Sequence, residues 1–412
     1  MSTTGQKEVL AALTAVETGM KVEMPAVQTR YTADEEQVIL NAVRQCKTFS
    51  QGDELRAFEE EFAEYVGSPA AVGLSSCTAA LEMAAIVSGI GPGDEVIVPG
   101  HTFVSSVVPF VRSGAKLIFA DIDPETRVIG AETIAPKLSD RTRVIVAVHL
   151  YGLMADMNLI MEIARARDLI VVEDCAQSPG AAWNGQRAGS FGDFGCFSFH
   201  THKNMSTLGE GGMLTVRSEE AAETVKKLRW MGNWPFEETR ERYWMPAMGS
   251  LEPALEGVWP LNYCLGEIQA AVGRAVLKRL DEINEGRRRQ AARFRGKLAE
   301  VNELSFQRVD EPKRHVYHLM SARFDGAEFG TNRDDLIELL HEEYGIKCIV
   351  QYWPLYRSPL FRSFGYGDQR CPKADHFYDN MISFPWWSDM PDDVLDYMAE
   401  STAAAIGTLK AR

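Results

Sequence analysis

Between about residues 70 and 216, short β-branched runs alternate with helix-like segments, and no other feature of this 412-residue sequence restricts its fold as strongly. Alternation of this kind gives a mostly parallel sheet covered by helices, because each parallel pair needs a crossover long enough to hold a helix. Predicted strands are 95–98, 116–119, 143–148, 169–172, 195–199 and 213–216. Open sheets of this class bind ligands at the carboxyl ends of their strands, and here those ends carry chemistry.

LIVVEDCAQ (169–177) is an apolar strand that stops on two carboxylates. On its own segment Asp174 reads first as the cap of a helix beginning near Ala176, and second as a carboxylate facing a ligand. GLSSCTAA (73–80) sets small residues at a strand-to-helix junction, where backbone amides and the helix dipole favour an anion. Ser and Thr are equally the ordinary residues of helix caps. PGHTFVSS (99–106) brings His101 and Phe103 to the next strand end, where a flat ring either stacks on a planar ligand or packs in the core. SFHTHKNMSTLGEGG (198–212) places Lys203 among histidine and hydroxyl side chains; alone, such a lysine is a solvated charge.

Together these ends supply an anion cradle, an aromatic face, a carboxylate and a lysine. Those are the parts that pyridoxal 5'-phosphate (PLP) requires: a lysine to bond its aldehyde, a carboxylate to keep its pyridine nitrogen protonated, and a site for its phosphate.

Beyond the sheet, 219–231 reads as a helix capped by Ser218, and the loop 232–259 collects Trp234, Tyr243, Trp244 and Trp259. Those aromatics face a substrate or partner, or pack beneath the loop. From Leu265, the spacing of Ile268, Val272, Val276, Leu280 and Ile283 predicts one long amphipathic helix into a second domain. The Arg287, Arg288, Arg289, Arg293 and Arg295 run on it reads as a solvated or salt-bridged face. Strands at 320–324 and 348–351 around a helix at 333–344 suggest a small α+β domain. The expected organisation is an N-terminal arm (1–30), a large domain (31–264), and a linking helix with a small domain (265–412).

Forty-three basic against 58 acidic residues give a net charge of -15, which disfavours nucleic acid and anionic membrane surfaces as partners. The first thirty residues lack a signal-peptide core and no apolar run reaches bilayer length, so a cytoplasmic protein is expected. Seven cysteines without a Cys-x-x-Cys pair read as reduced thiols rather than disulfides or a zinc site, and no metal site is expected.

From about Glu36 onward the sequence resembles the DegT/DnrJ/StrS aminotransferases, the sugar aminotransferase branch of the PLP-dependent fold type I enzymes. The blocks that carry the resemblance include AFEEEFAEYVGSPAAVGLSSCTAALEMA, GPGDEVIVPGHTFVSS, VHLYGLMADM, VVEDCAQSPGA, FSFHTHKNMSTLGEGGMLTV and PLNYCLGEIQAAVGRAVLKRLDEI, in that order. The resemblance implies a large domain with a mostly parallel seven-stranded sheet flanked by helices, plus a smaller α+β C-terminal domain. It implies that Lys203 bonds the cofactor and that Asp174 pairs with the pyridine nitrogen, with Gln177 near the ring hydroxyl. Thr78, the Cys77 backbone and Ser198 would bind the phosphate, Phe103 would stack on the ring, and Asn262 would reach the phosphate of a neighbouring subunit, making a homodimer.

The implied reaction moves an amino group from glutamate or glutamine to a keto-sugar, most readily a nucleotide-linked keto-deoxysugar, with a keto-cyclitol or free keto-sugar as the alternative. A dehydratase branch resembling this fold carries histidine where this chain has Lys203, so transamination is expected; a PLP-binding protein without turnover is a further alternative. Two positions depart from the family pattern: Cys264 stands where Arg is usual after Asn-Tyr, and Gln351 where His is usual before Tyr-x-Pro. Both fall where the family shapes its substrate pocket, which leaves acceptor and donor unassigned. Expected substrate contacts are His318, Gln351 and Trp234; His315, Tyr317 and His318 read equally as core or edge-strand residues, and Arg229, Lys313, Arg314 and Arg357 read as solvated surface charges before they read as partners of a diphosphate.

Overall fold

The computed structural model describes residues 22–27, 31–232, 251 and 253–412. Trp234, Tyr243 and Trp244 of the aromatic loop lie outside the described residues, and so does most of the expected N-terminal arm.

Seven strands form one sheet: β1 (Ala70–Leu74), β2 (Glu95–Pro99), β3 (Lys116–Ala120), β4 (Thr142–Val148), β5 (Ile170–Asp174), β6 (Phe194–Ser198) and β7 (Gly212–Val216). Their spatial order is β1-β7-β6-β5-β4-β2-β3. Strand β7 runs antiparallel to both neighbours, whereas the pairs from β6 to β3 are parallel. Every residue of β1, β2, β6 and β7 is buried, which is why these runs read as continuously apolar rather than alternating.

The helix Asp53–Val66 presents Leu55, Phe58 and Phe62 to the sheet, at the i, i+3, i+7 spacing of one helical face. Phe62 packs edge-on against Phe197 (4.9 Å) and Phe199 (5.5 Å), fixing the end of β6 where the Lys203 segment begins. Loss of one such buried ring costs ~3–5 kcal/mol. Gly273 lets the helix Glu267–Leu277 approach this cluster, since a Cβ there would lie 2.5 Å from the Phe58 ring.

A second apolar cluster forms where the helices Leu280–Lys297, Arg333–Glu342 and Asp392–Ala411 cover an antiparallel sheet of Leu304–Phe306, Met320–Phe324 and Met381–Phe384. Phe294, Phe324, Phe384 and Trp386 fill it, and Val22 joins it by pairing with Ile346. Among the described residues no helix is long and apolar enough to cross a membrane.

Four expectations need correction. The single long helix from Leu265 is two, Glu267–Leu277 and Leu280–Lys297. Arg279 leaves helical geometry (φ -113°, ψ 10°), and its guanidinium reaches Glu35 (Nε to Oε1 2.6 Å). Residues 348–351 form no strand: Ile349 pairs with Ser383 alone, because the chain then leaves for β2, where Leu355 N–H donates to the Gly100 carbonyl. Arg287 is not on a solvated face; it is fully buried and donates to the Tyr317 and His318 carbonyls, while Arg288 and Arg293 are salt-bridged as expected. No helix begins at Ala176, so Asp174 is not a helix cap.

Candidate active site

The carboxyl ends of β1, β2, β5 and β6 lie along the same end of the sheet, with β7 between β1 and β6 and β4 between β5 and β2, and the site grows from them. Asp174 closes β5 and is 5% exposed. Its Oδ2 accepts from Ser106 Oγ (2.6 Å) and its Oδ1 from the Ala176 amide (3.0 Å), so both oxygens have a fixed direction. Thr102 Oγ1 lies 3.0 Å from Ser106 Oγ and completes the chain of hydroxyls.

Beneath it a second carboxylate braces the strand end. Buried Glu173 accepts from His149 Nε2 and from the amides of Gly189, Phe191 and Gly192, all within 3.0 Å. The ligand atoms of His149, Glu173 and Cys175 lie within 4.8 Å of one another, yet Glu173 is saturated by N–H donors and His149 Nδ1 accepts from the Ala155 amide. Their lone pairs serve structure.

Lys203 sits in the loop between β6 and β7, which closes on itself: Phe199 N–H donates to Gly211, Thr201 N–H to Gly209, and Thr207 N–H to Phe199. Asn204, the next residue, anchors the loop by donating to Asn284 Oδ1 (3.0 Å) and the Val316 carbonyl (2.9 Å). Burial lowers the Lys203 pKa below its ordinary value, while the nearby Asp174 carboxylate pulls it back up. Cys77 is raised well above a usual thiol by burial and by Asp174, so it stays protonated. Lysine, carboxylate and helix start therefore share one small volume.

The helix Cys77–Val87 begins there with Ser76 as N-cap, its side chain accepting from the Ala79 amide. Cys77 and Thr78 occupy the first turn, whose amides have no intrahelical acceptor. Gly212 pairs with both Leu74 and Ser198, which brings Ser198 beside that turn. A Cβ on Gly212 would lie 2.3–2.6 Å from Ser76 backbone atoms and the Cys77 amide nitrogen, so only glycine allows this approach.

Phe103 is 49% exposed, and its ring lies 5.7 Å from that of Tyr352. His101 takes the other course: buried against Phe377, it is lowered to about 3 by burial, and its Nε2 lies 2.8 Å from Tyr151 Oη. That hydroxyl donates to the Gln351 carbonyl, so neutral His101 is the donor to Tyr151. Gln177 Oε1 accepts from the Tyr151 amide (2.8 Å), which leaves its NH2 as the end able to donate to a ligand.

Among the expected substrate contacts, His318 is buried near Lys203; its Nδ1 has no partner among the described residues, and burial with the Lys203 charge keeps it neutral. Gln351 is half-buried with its Oε1 likewise unpartnered among them. Trp234 lies outside the described residues. His315 is turned away, bonded to Gln307 (2.9 Å) and stacked on Tyr317 (3.9 Å). Of the cations considered for a diphosphate, Arg229 is buried against Glu59, Arg357 pairs with Asp375 and Asp379, Arg314 lies 3.7 Å from Glu285, and Lys313 sits over Trp183. Asn262 is exposed on a strip that bridges Trp230 and passes Ser75, beside the helix start. Cys264 accepts from Gln51 Nε2 (2.8 Å).

Sequence reasoning missed Ser106, Tyr151 and Tyr352. Ser106 lay inside the quoted PGHTFVSS block and Tyr151 inside VHLYGLMADM, but nothing local named their partners.

This geometry fits pyridoxal phosphate. The helix turn with Ser198 suits its phosphate, the open face of Phe103 its ring, Asp174 its pyridine nitrogen, and the uncharged form of Lys203 its aldehyde.

Comparison with known proteins identifies the family of the chain. The DegT/DnrJ/EryC1/StrS aminotransferase family model matches residues 30–402. The chain is 35% identical to the spore coat polysaccharide biosynthesis protein SpsC of Bacillus subtilis, over 85% of this chain and 89% of that one. It is 34% identical to a UDP-N-acetyl-3-dehydro-alpha-D-glucosamine 3-aminotransferase of Acidithiobacillus ferrooxidans, over 85% and 88%. The crystal structure of an aminotransferase from Psychrobacter cryohalolentis superposes with a TM-score of 0.85 at 29% identity, over 94% of this chain and all of that one.

Proposed function

Because the chain belongs to the DegT/DnrJ/EryC1/StrS aminotransferase family, whose members are PLP-dependent, we propose that it transfers an amino group from glutamate or glutamine to a nucleotide-linked keto-deoxysugar. One observation carries the site assignment: a lysine whose charge burial disfavours shares a strand-end cluster with a buried carboxylate held by two donors. The relative that acts on UDP-N-acetyl-3-dehydro-alpha-D-glucosamine supports a nucleotide-linked acceptor.

When bound, the cofactor supplies an electron sink for the donor α-carbon and carries the amino group between substrates. The residues of the chain do the rest. Lys203 Nζ, uncharged more readily than a solvated lysine, would hold the cofactor at its aldehyde and would serve as the base that moves the proton of the donor α-carbon. Asp174, oriented by Ser106 and Ala176, would hold the pyridine nitrogen protonated. Cys77, Thr78 and Ser198 would hold the phosphate at the helix start, and the free NH2 of Gln177 would donate to the ring hydroxyl. His318 and Gln351 would offer the substrate polar atoms that have no partner among the described residues. The exposed Asn262 strip beside the helix start supports a homodimer in which it reaches the other subunit's phosphate. All seven cysteines are free thiols, which supports a reducing, cytoplasmic setting.

The test is the visible spectrum of the purified protein before and after each donor, followed by assay with keto-sugar nucleotides. A cofactor band that bleaches with glutamate or glutamine, and an aminated sugar nucleotide as product, are expected. A band that no donor changes would point to dehydration or binding without turnover; amination of keto-cyclitols alone would move the acceptor class.

A further inference from the structure

The loop that carries Lys203 is held from outside by one stretch of chain near the N-terminus. Tyr31 Oη donates to the Ser206 carbonyl (3.2 Å) and accepts from the Leu208 amide (2.9 Å), so a single hydroxyl spans the residues that follow Lys203. On the other side of the lysine, His202 Nε2 donates to the Ala26 carbonyl (3.1 Å). Farther back, Val22 N–H donates to the Gly345 carbonyl and Lys347 N–H to the Val22 carbonyl, both at 3.0 Å, which ties this stretch to the second apolar cluster.

The loop needs such a hold at one point. Leu208 has a φ of +61°, in the left-handed region that bulky residues rarely adopt. Its amide is the group that Tyr31 captures, so the phenol stabilises the backbone where the loop itself is least favourable. Tyr31 is in turn rigidly placed. The next residue, Thr32, forms a reciprocal capping box with Glu35, its Oγ1 accepting from the Glu35 amide and its own amide donating to Glu35 Oε2. Glu35 is itself clamped by Arg279.

We propose that Tyr31 is a positioning residue for Lys203: it fixes the far side of the loop so that the amine stays directed at the reacting centre. The proposal rests on Lys203 as the cofactor-bonding lysine. Tyr31→Phe keeps the ring packed and removes only the hydroxyl, so the chain should fold and retain its thermal midpoint.

The experiment pairs amide hydrogen exchange at Leu208 with steady-state kinetics of the PLP-loaded enzyme. Tyr31→Phe should accelerate Leu208 exchange and lower kcat by about tenfold with donor KM unchanged, less than the ~100-fold that a 1 Å misplacement costs. Unchanged exchange at Leu208, or faster exchange with unchanged kcat, overturns the role of Tyr31 alone, since the wild-type enzyme is loaded. A wild-type chain that takes up no PLP overturns the assignment of Lys203 and this proposal with it.

Discussion

Ser106 donates its hydroxyl hydrogen to Asp174 Oδ2 across 2.6 Å, joining two residues 68 positions apart and linking the ends of β2 and β5. The carboxylate thereby gains a fixed orientation before any ligand arrives.

Ser106→Ala removes that bond without disturbing the core. A hydrogen bond to a charged group contributes ~1.5–3 kcal/mol, so PLP affinity should fall by at least about tenfold. Titration of the apo-protein with PLP, followed by absorbance, measures it. An unchanged affinity would mean that Asp174 is held well enough by the Ala176 amide.

Gly212→Ala places a methyl against the backbone of Ser76 and Cys77, which cannot rotate aside as a side chain would. Overpacking costs ~1–3 kcal/mol, and here the strain falls on the helix turn assigned to the phosphate. PLP affinity should drop by about tenfold or more on that scale, with a smaller loss of thermal stability. The reverse pattern, with the fold weakened and affinity intact, would move the phosphate away from this turn.

Lys203→Met should change how stability depends on pH in the apo-protein. The folded-state pKa of Lys203 lies below its ordinary 10.5, so the unfolded chain binds more protons between those two values. Wild-type stability therefore gains from deprotonation as pH rises through that interval, and the variant lacks this gain. The thermal midpoint of the variant relative to wild type should be highest near neutrality and fall as the pH approaches 10. A difference that stays flat with pH would show that burial does not disfavour the Lys203 charge.

His101 and His315 are both lowered to about 3 by burial, from an ordinary value near 6.5. Between those values the unfolded chain holds one more proton at each, so stability falls as the pH drops below 6.5, by up to ~1.4 kcal/mol per pH unit for each group. His101→Asn should flatten the slope of unfolding free energy between pH 6 and 4 by about one such increment. Urea unfolding at several pH values checks it, and an unaltered slope would mean that His101 titrates normally in the folded protein.

How much of this was legible in the sequence depended on the range of the contact. Six strands of the sheet could be read because each is a local apolar run, whereas β1 (Ala70–Leu74, AAVGL), rich in small residues, was not among the predicted strands; Asp174 and Lys203 could be placed because they follow such runs directly. Ser106 could not, since a serine in a turn is unremarkable until its partner is known. The break at Arg279 was hidden for a related reason: apolar spacing persists across it, and the carboxylate that draws the arginine out is 244 residues away. His315 and His318, three residues apart in RHVYH, went to opposite fates that only the packing of their neighbours decides.

The reversal of β7 has a consequence for how this architecture can change. Because β7 runs against β6, the chain leaves Ser198 and returns at Gly212, its partner in the sheet, without crossing to the other edge. The lysine segment is thus a cassette whose two splice points touch. Apart from Lys203 and the residues held from outside (His202, Asn204, Ser206 and Leu208), its side chains can be varied while the strand register and the opposing carboxylate stay where they are.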